Sequence, residues 1–168
     1  MIWRNMKYYL HSDGINPDTV RLMIEFVQDN EGELTIGINS SGGDVSAAAF
    51  LLDCLNANKD RITVIAVTAV FSAAFLLFYR FNGKKKITTG CRGMFHYSTQ
   101  PITMAANGRP DGWYDENALD VLKRDRGGLD EFAGLFMTSS ELKKFKKNWD
   151  VYFNTQRMRE IFPDAEII

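Results

Sequence analysis

ITVIAVTAVFSAAFLLFYRF, Ile62 to Phe81, decides the fold class of this chain. From Ile62 to Tyr79 it runs 18 residues without a charge, the lower edge of what a membrane span requires. Its two halves differ in kind. Ile62–Val70 is rich in β-branched residues and reads as a buried strand. From Ser72 onward the residues are Ala, Leu and Phe, which read as a helix. A strand running directly into a helix accounts for the apolar length without a bilayer.

Working outward, the same alternation recurs. Upstream, MKYYLHSDGI is a short strand and a turn at Ser12-Asp13-Gly14. Asn16-Pro17-Asp18 opens a helix over Thr19–Gln28, with Val20, Met23, Ile24 and Val27 at helical spacing, closed by Asn30-Glu31-Gly32. ELTIGINS is a strand, Ser40–Gly43 a tight turn, and Asp44 begins a helix through Asn56. Downstream, Asn82-Gly83 is expected to end the Ser72 helix in a left-handed cap or turn. KKKITTG and GMFHYST supply two short strands, and Gln100–Gly112 is a loop. Trp113–Phe136 is largely helical with a break at Gly127-Gly128. MTSSELKKF opens another helix, capped by Thr138 or Ser139 with Glu141 in its first turn. The tail ends in a helix and a short strand. Strands alternating with helices predict an α/β fold with mostly parallel pairing. No linker or repeat interrupts residues 1–168, so one domain is expected.

Composition narrows the function. Twenty basic residues against 21 acidic leave a net charge of −1, with no general attraction to nucleic acid or an anionic membrane. The two cysteines, Cys54 and Cys91, form no CxxC motif and fit a reducing, cytoplasmic setting. The two histidines, His11 and His96, argue against a zinc site. The N-terminus lacks a secretory h-region. His11 reads as an exposed turn residue, Lys84–Lys86 as a solvated turn, and Trp3, Trp113 and Trp149 as packing residues. Cys91 reads as a small buried apolar residue.

Three signals carry chemistry. Ile38–Gly43, INSSGG, delivers two glycines from a strand into a turn ahead of a helix, where their amides can approach an anion. A plain turn is the simpler alternative, and a phosphate loop lacks its GK[ST] ending. Ser72 sits where strand becomes helix, so the helix dipole favours its alkoxide and the following amides can hold an oxyanion. An ordinary N-cap is the alternative. His96, 24 residues later, lies in an apolar strand context where a core histidine is also common. The order Ser…His…Asp is one of several in which catalytic triads occur.

Taken together, INSSGG, Ser72 placed 29 residues after Gly43, then Phe75-Leu76-Leu77, Gly83-Lys84 and Met94-Phe95-His96 resemble the ClpP family of caseinolytic serine peptidases. The tail WDVYFNTQRM resembles the stretch following that family's aspartate. The resemblance spans about Tyr8 to Ile168 and is most specific in its first half. It implies an α/β fold of the ClpP/crotonase type, a spiral of repeated β-β-α units with a protruding handle helix over Trp113–Phe136. It implies Ser72 as nucleophile, His96 as general base, Asp150 as the carboxylate that orients His96, and Gly43 and Ala73 as the oxyanion-hole amides. Asp115 and Asp120 are alternative carboxylates. Ala73 stands where the family has methionine, Ser41 where it has proline, and Phe71 where it has a small residue.

The resemblance further implies a self-compartmentalised serine endopeptidase acting on unfolded proteins or short peptides, with no metal or organic cofactor. Its partners would be further copies of itself, in a heptameric and stacked ring, and an AAA+ unfoldase. The family's N-terminal gating segment would be shortened or absent. Three other readings share the fold: a signal-peptide-peptidase-like enzyme, a crotonase-type enzyme, and an inactive oligomeric scaffold.

Overall fold

The computed structural model describes residues 7–97 and 128–168. The chain divides into two compact units: Met1–Phe95 with Tyr152–Ile168, and His96–Val151.

In the first unit strand and helix alternate as the sequence predicts. β1 (Lys7–His11) leads to α1 (Pro17–Asp29), β2 (Leu34–Ser40), α2 (Val45–Ala57), β3 (Ile62–Phe71) and α3 (Ala73–Arg80). β4 (Lys84–Ile87) and β5 (Arg92–Phe95) follow, and β6 (Val151–Phe153), α6 (Thr155–Ile161) and β7 (Glu166–Ile167) close the chain. The sheet order is β1-β2-β3-β4-β7, and each of these pairings is parallel. β3 is long enough to change partners on one side. Its first part pairs β4 through Thr63–Ala66, and its end pairs β5 through Ala69–Phe71. β5 also pairs β6. The end of β3, and Ser72 after it, is thus held by a strand different from the one flanking its start.

Local chemistry explains the helix starts. Asn16 caps α1 by accepting from the amides of Asp18 and Thr19, and Pro17 occupies the first turn, where no amide is needed. The Asp44 carboxylate accepts from the amide of Ala47 at 2.8 Å to start α2. Each helix buries an apolar face: Val20, Met23 and Val27 on α1, Leu51 and Leu55 on α2, and Phe75 and Phe78 on α3. Phe75 is the hub of an aromatic cluster with Phe95, Phe153 and Phe162, at centroid distances of 5.3–5.9 Å.

In the second unit residues 128–134 are helical (α4), followed by α5 (Ser139–Phe145). Of the two caps the sequence allows, Thr138 is the one used, in a reciprocal cap with Glu141. The expected loop at Gln100–Gly112 and most of the handle segment lie outside the described residues. Of the break expected at Gly127-Gly128, Gly128 is helical.

Several expectations are corrected. His11 is not an exposed turn residue: it ends β1 and is 3% exposed, because its pairing with Ile38 carries it into the sheet. Lys84–Lys86 is not a solvated turn but β4, in keeping with the strand read over KKKITTG. There Lys85 donates to the Tyr79 carbonyl at 3.1 Å, and Lys86 pairs with Glu166 at 2.8 Å. The Lys85 ammonium also lies 5.6 Å from the Phe162 ring centroid, so its stem and charge are used for packing. Asn82-Gly83 makes no left-handed cap, since α3 ends on an extended Phe81 and Gly83 lies outside the positive-φ glycines. Gly83 is needed for space: a Cβ there would stand 2.4 Å from Cζ of Phe81 and 2.8 Å from the Lys59 carbonyl oxygen. Trp149 is exposed rather than packed.

Candidate active site

β3 ends at Phe71 and α3 begins at Ala73, so Ser72 alone makes the turn between them. It does so at φ 54°, ψ −121°. A non-glycine residue in that region is strained and persists only when its surroundings hold it there. They do: the Ser72 amide donates to the Met94 carbonyl at 2.8 Å, and its carbonyl accepts from the Leu76 amide at 3.0 Å. The side chain makes no capping hydrogen bond. Ser72 is therefore not an ordinary N-cap. It is a strained strand-to-helix elbow, the kind of turn that exposes a nucleophile in α/β-hydrolases.

The glycine turn lies against this elbow. Ile15 donates to the Gly42 carbonyl at 2.8 Å and accepts from the Asp44 amide at 2.8 Å, forming an isolated parallel bridge to Gly43. In such a bridge the N–H of Gly43 points away from Ile15. Gly42 and Gly43 have φ of 99° and 144°. A Cβ on Gly42 would stand 2.7 Å from Cβ of Ser72 and 3.0 Å from the Ala73 amide, and one on Gly43 would stand 2.2 Å from the Ile15 oxygen. The turn is held by Ser40, whose Oγ donates to the Asp13 carbonyl at 2.7 Å and accepts from the Gly42 amide at 3.2 Å. That side-chain brace explains how the turn forms with Ser41 rather than a proline. Among the described residues neither the Gly43 nor the Ala73 amide donates to a protein acceptor. Both are available to a developing oxyanion.

The second unit contains the histidine and the carboxylate. His96 lies one residue past β5, and Asp150 follows the turn after α5. Nδ1 of His96 is 3.2 Å from Oδ1 of Asp150, a contact joining residues 54 apart in sequence. The carboxylate accepts from Nδ1–H, which selects the tautomer whose Nε2 can take a proton.

Of the predicted site residues, Ser72, Gly43 and Ala73 are therefore together in the first unit, and His96 and Asp150 are hydrogen bonded in the second. Asp115 and Asp120 lie outside the described residues. Cys91 is buried, and burial pushes its thiol up to about 11, too high for a ready thiolate. Sequence reasoning missed the brace by Ser40 and the contact of Gly42 with Ser72. Serine and glycine in a turn look alike whether they hold a site or merely a loop. Among the described residues no group of three or more His, Cys, Asp and Glu could hold a metal ion, and no helix is long and apolar enough to cross a membrane.

The Clp protease family model matches residues 12–125, more than half of the chain. This chain belongs to the Clp protease family. It superposes on the ClpP protease catalytic domain of Plasmodium falciparum with a TM-score of 0.65 and 25% identity, covering 96% of this chain and 84% of that one. A point mutant of ClpP1 from Listeria monocytogenes matches with a TM-score of 0.66 and 18% identity, covering 96% of this chain and 91% of that one. A comparison with curated protein sequences finds no match. The fold of this Clp-family chain is the ClpP/crotonase-like α/β fold. Among enzyme classes built on that fold, the family match selects the Clp peptidases over the crotonases and the signal-peptide peptidases.

Proposed function

We propose that this Clp-family chain is the subunit of a self-compartmentalised serine endopeptidase that hydrolyses unfolded proteins or short peptides. Ser72 Oγ attacks the peptide carbonyl carbon while Nε2 of His96 takes its proton. The carbonyl electron pair moves onto oxygen, where the amides of Gly43 and Ala73 receive it. His96 then gives the proton to the leaving amine, and the C–N bond breaks to leave an acyl-Ser72 ester. Water, deprotonated by His96, releases the acid and restores the enzyme. Asp150 holds the imidazole and stabilises its charged form.

The observation that carries this reading is Ser72 itself. It has a strained backbone, no capping role, and a glycine turn pressed against it. The His96–Asp150 hydrogen bond supports it independently. A fluorophosphonate probe tests it without a known substrate. The expected result is a single labelled serine, Ser72, with labelling and peptide cleavage both lost in Ser72→Ala. Labelling that persists in that variant overturns the nucleophile. An assembled wild type that takes no label is the inactive scaffold.

The same reading puts the chain in a homo-oligomeric ring, heptameric and stacked, served by an AAA+ unfoldase. Leu22, Val45 and Phe50, which are 47–65% exposed on α1 and α2 of the isolated chain, support burial against further copies.

A further inference from the structure

Tyr97 follows His96 directly, and two contacts fix it within the second unit. Its phenol O–H donates to the carboxylate of Asp130 on α4. Its ring stacks on Phe145, with centroids 4.2 Å apart and 23° between the planes. Phe145 is fully buried at the end of α5, and Asp150 lies five residues on. The intervening turn is tight. The Asn148 amide donates to the Phe145 carbonyl at 2.8 Å, the Trp149 amide donates to the Lys144 carbonyl at 3.2 Å, and Asn148 itself has φ 59°. The stack therefore joins the segment carrying His96 to the segment carrying Asp150, one residue from the first and five from the second.

The His–Asp contact needs such a tie. The Asp150 side chain is 46% exposed, so water competes for its oxygens and weakens the pair's hold on its own geometry. A ring stacked on a buried phenylalanine is not exchanged for water in that way. We infer that Tyr97 is a positioning residue, whose stack on Phe145 and hydrogen bond to Asp130 set the separation between His96 and Asp150. The inference rests on the triad reading for its catalytic meaning, but the geometry it concerns is measurable without turnover.

The test uses the full-length assembled protein labelled with 15N-histidine, which reports on only two residues, His11 and His96. In wild type, the Nδ1–H of His96 gives a low-field proton protected from exchange. Tyr97→Leu removes both contacts; it loses this signal, and kcat falls about 10²-fold with KM within about twofold, the pattern of a misplaced catalytic group. Tyr97→Phe keeps the stack and the signal, with a smaller loss of kcat. Asp130→Asn, which still offers an acceptor to the phenol, behaves as wild type, while Asp130→Leu behaves as Tyr97→Phe. An assembled Tyr97→Leu with wild-type signal and kcat overturns the inference. If that variant does not fold, Tyr97→Phe and Asp130→Leu decide, and wild-type exchange protection and kcat in both overturn it. A wild type that takes no fluorophosphonate sinks the peptidase reading alone, since loss of the low-field proton in Tyr97→Leu is scored regardless.

Discussion

At the residue scale, His11 is the least expected side chain. It is buried with Nε2 unpartnered among the described residues. Burial lowers its pKa from the ordinary 6.5, and the carboxylate and backbone of Asp13 oppose that shift without cancelling it. The neighbours that β2 and α1 turn inward, Ile38 and Val20, Met23 and Val27, bring no charge. The folded state therefore binds the proton less well than the unfolded chain. Stability is whole above about pH 6.5 and is lost as pH falls toward the lower folded value. His11→Leu removes the unsatisfied nitrogen. It is expected to add about 1 kcal/mol at neutral pH, or roughly 2–4 °C in Tm, with a larger gain at pH 5. Thermal melts at pH 8, 6.5 and 5 check this, and parallel acid losses in variant and wild type would refute it. Asp150 acts through a different property, its hold on His96. Asp150→Asn should lower kcat by about 10³–10⁴ at matched assembly, because the amide no longer stabilises the imidazolium. Asp115→Asn and Asp120→Asn should stay near wild-type turnover in the same peptide assay.

At the element scale, the decisive junction is where the Ser40–Gly43 turn meets the start of α3. Both glycines have positive φ, and both face backbone that cannot step aside. Gly42→Ala sets a methyl against Ser72, so the rate of fluorophosphonate labelling should fall about 10²-fold or more. Gly43→Ala meets the Ile15 carbonyl and breaks the bridge that orients its own amide, so it should lose labelling and at least about 1–3 kcal/mol of stability. Gly32 is the control. It also has positive φ, at 80°, but nothing lies within 4 Å of its missing Cβ. Gly32→Ala should cost about 1 kcal/mol and leave labelling unchanged. Equal labelling losses in all three variants would mean that general destabilisation, not the junction, is being read.

At the scale of the whole molecule, a net charge of −1 offers little overall electrostatic steering, so in the proposed ring it is assembly and access that would select substrates. A ring that encloses its active sites does this by excluding folded proteins. Light scattering should give a mass of about 134 kDa for seven copies of the 19.1 kDa chain, or twice that for a stacked pair. A stable mass near 19 kDa at micromolar concentration would contradict the ring. Phe50→Asp should shift the assembly toward smaller species, because it places a charge on one of the most exposed apolar side chains among the described residues.

The sequence by itself determined the α/β alternation, the mostly parallel pairing, the helix starts at Asn16 and Asp44 and near Thr138 or Ser139, and the candidate roles of Ser72, His96, Asp150, Gly43 and Ala73. These are legible because strand and helix periods and caps are local, and because glycine and serine spacings in this family resemblance are specific. Tertiary structure alone decided that His11 is buried, that Lys85 packs over Phe162, that β6 exists, that Ser40 braces the glycine turn, and that Tyr97 stacks on Phe145. Each depends on which elements become neighbours. A three-residue strand such as Val151–Phe153 has too few residues to declare a period, and it forms because β5 offers it an edge. Polar side chains such as His11 and Lys85 look solvated in sequence because their burial is set by sheet register and helix packing, which no local pattern encodes.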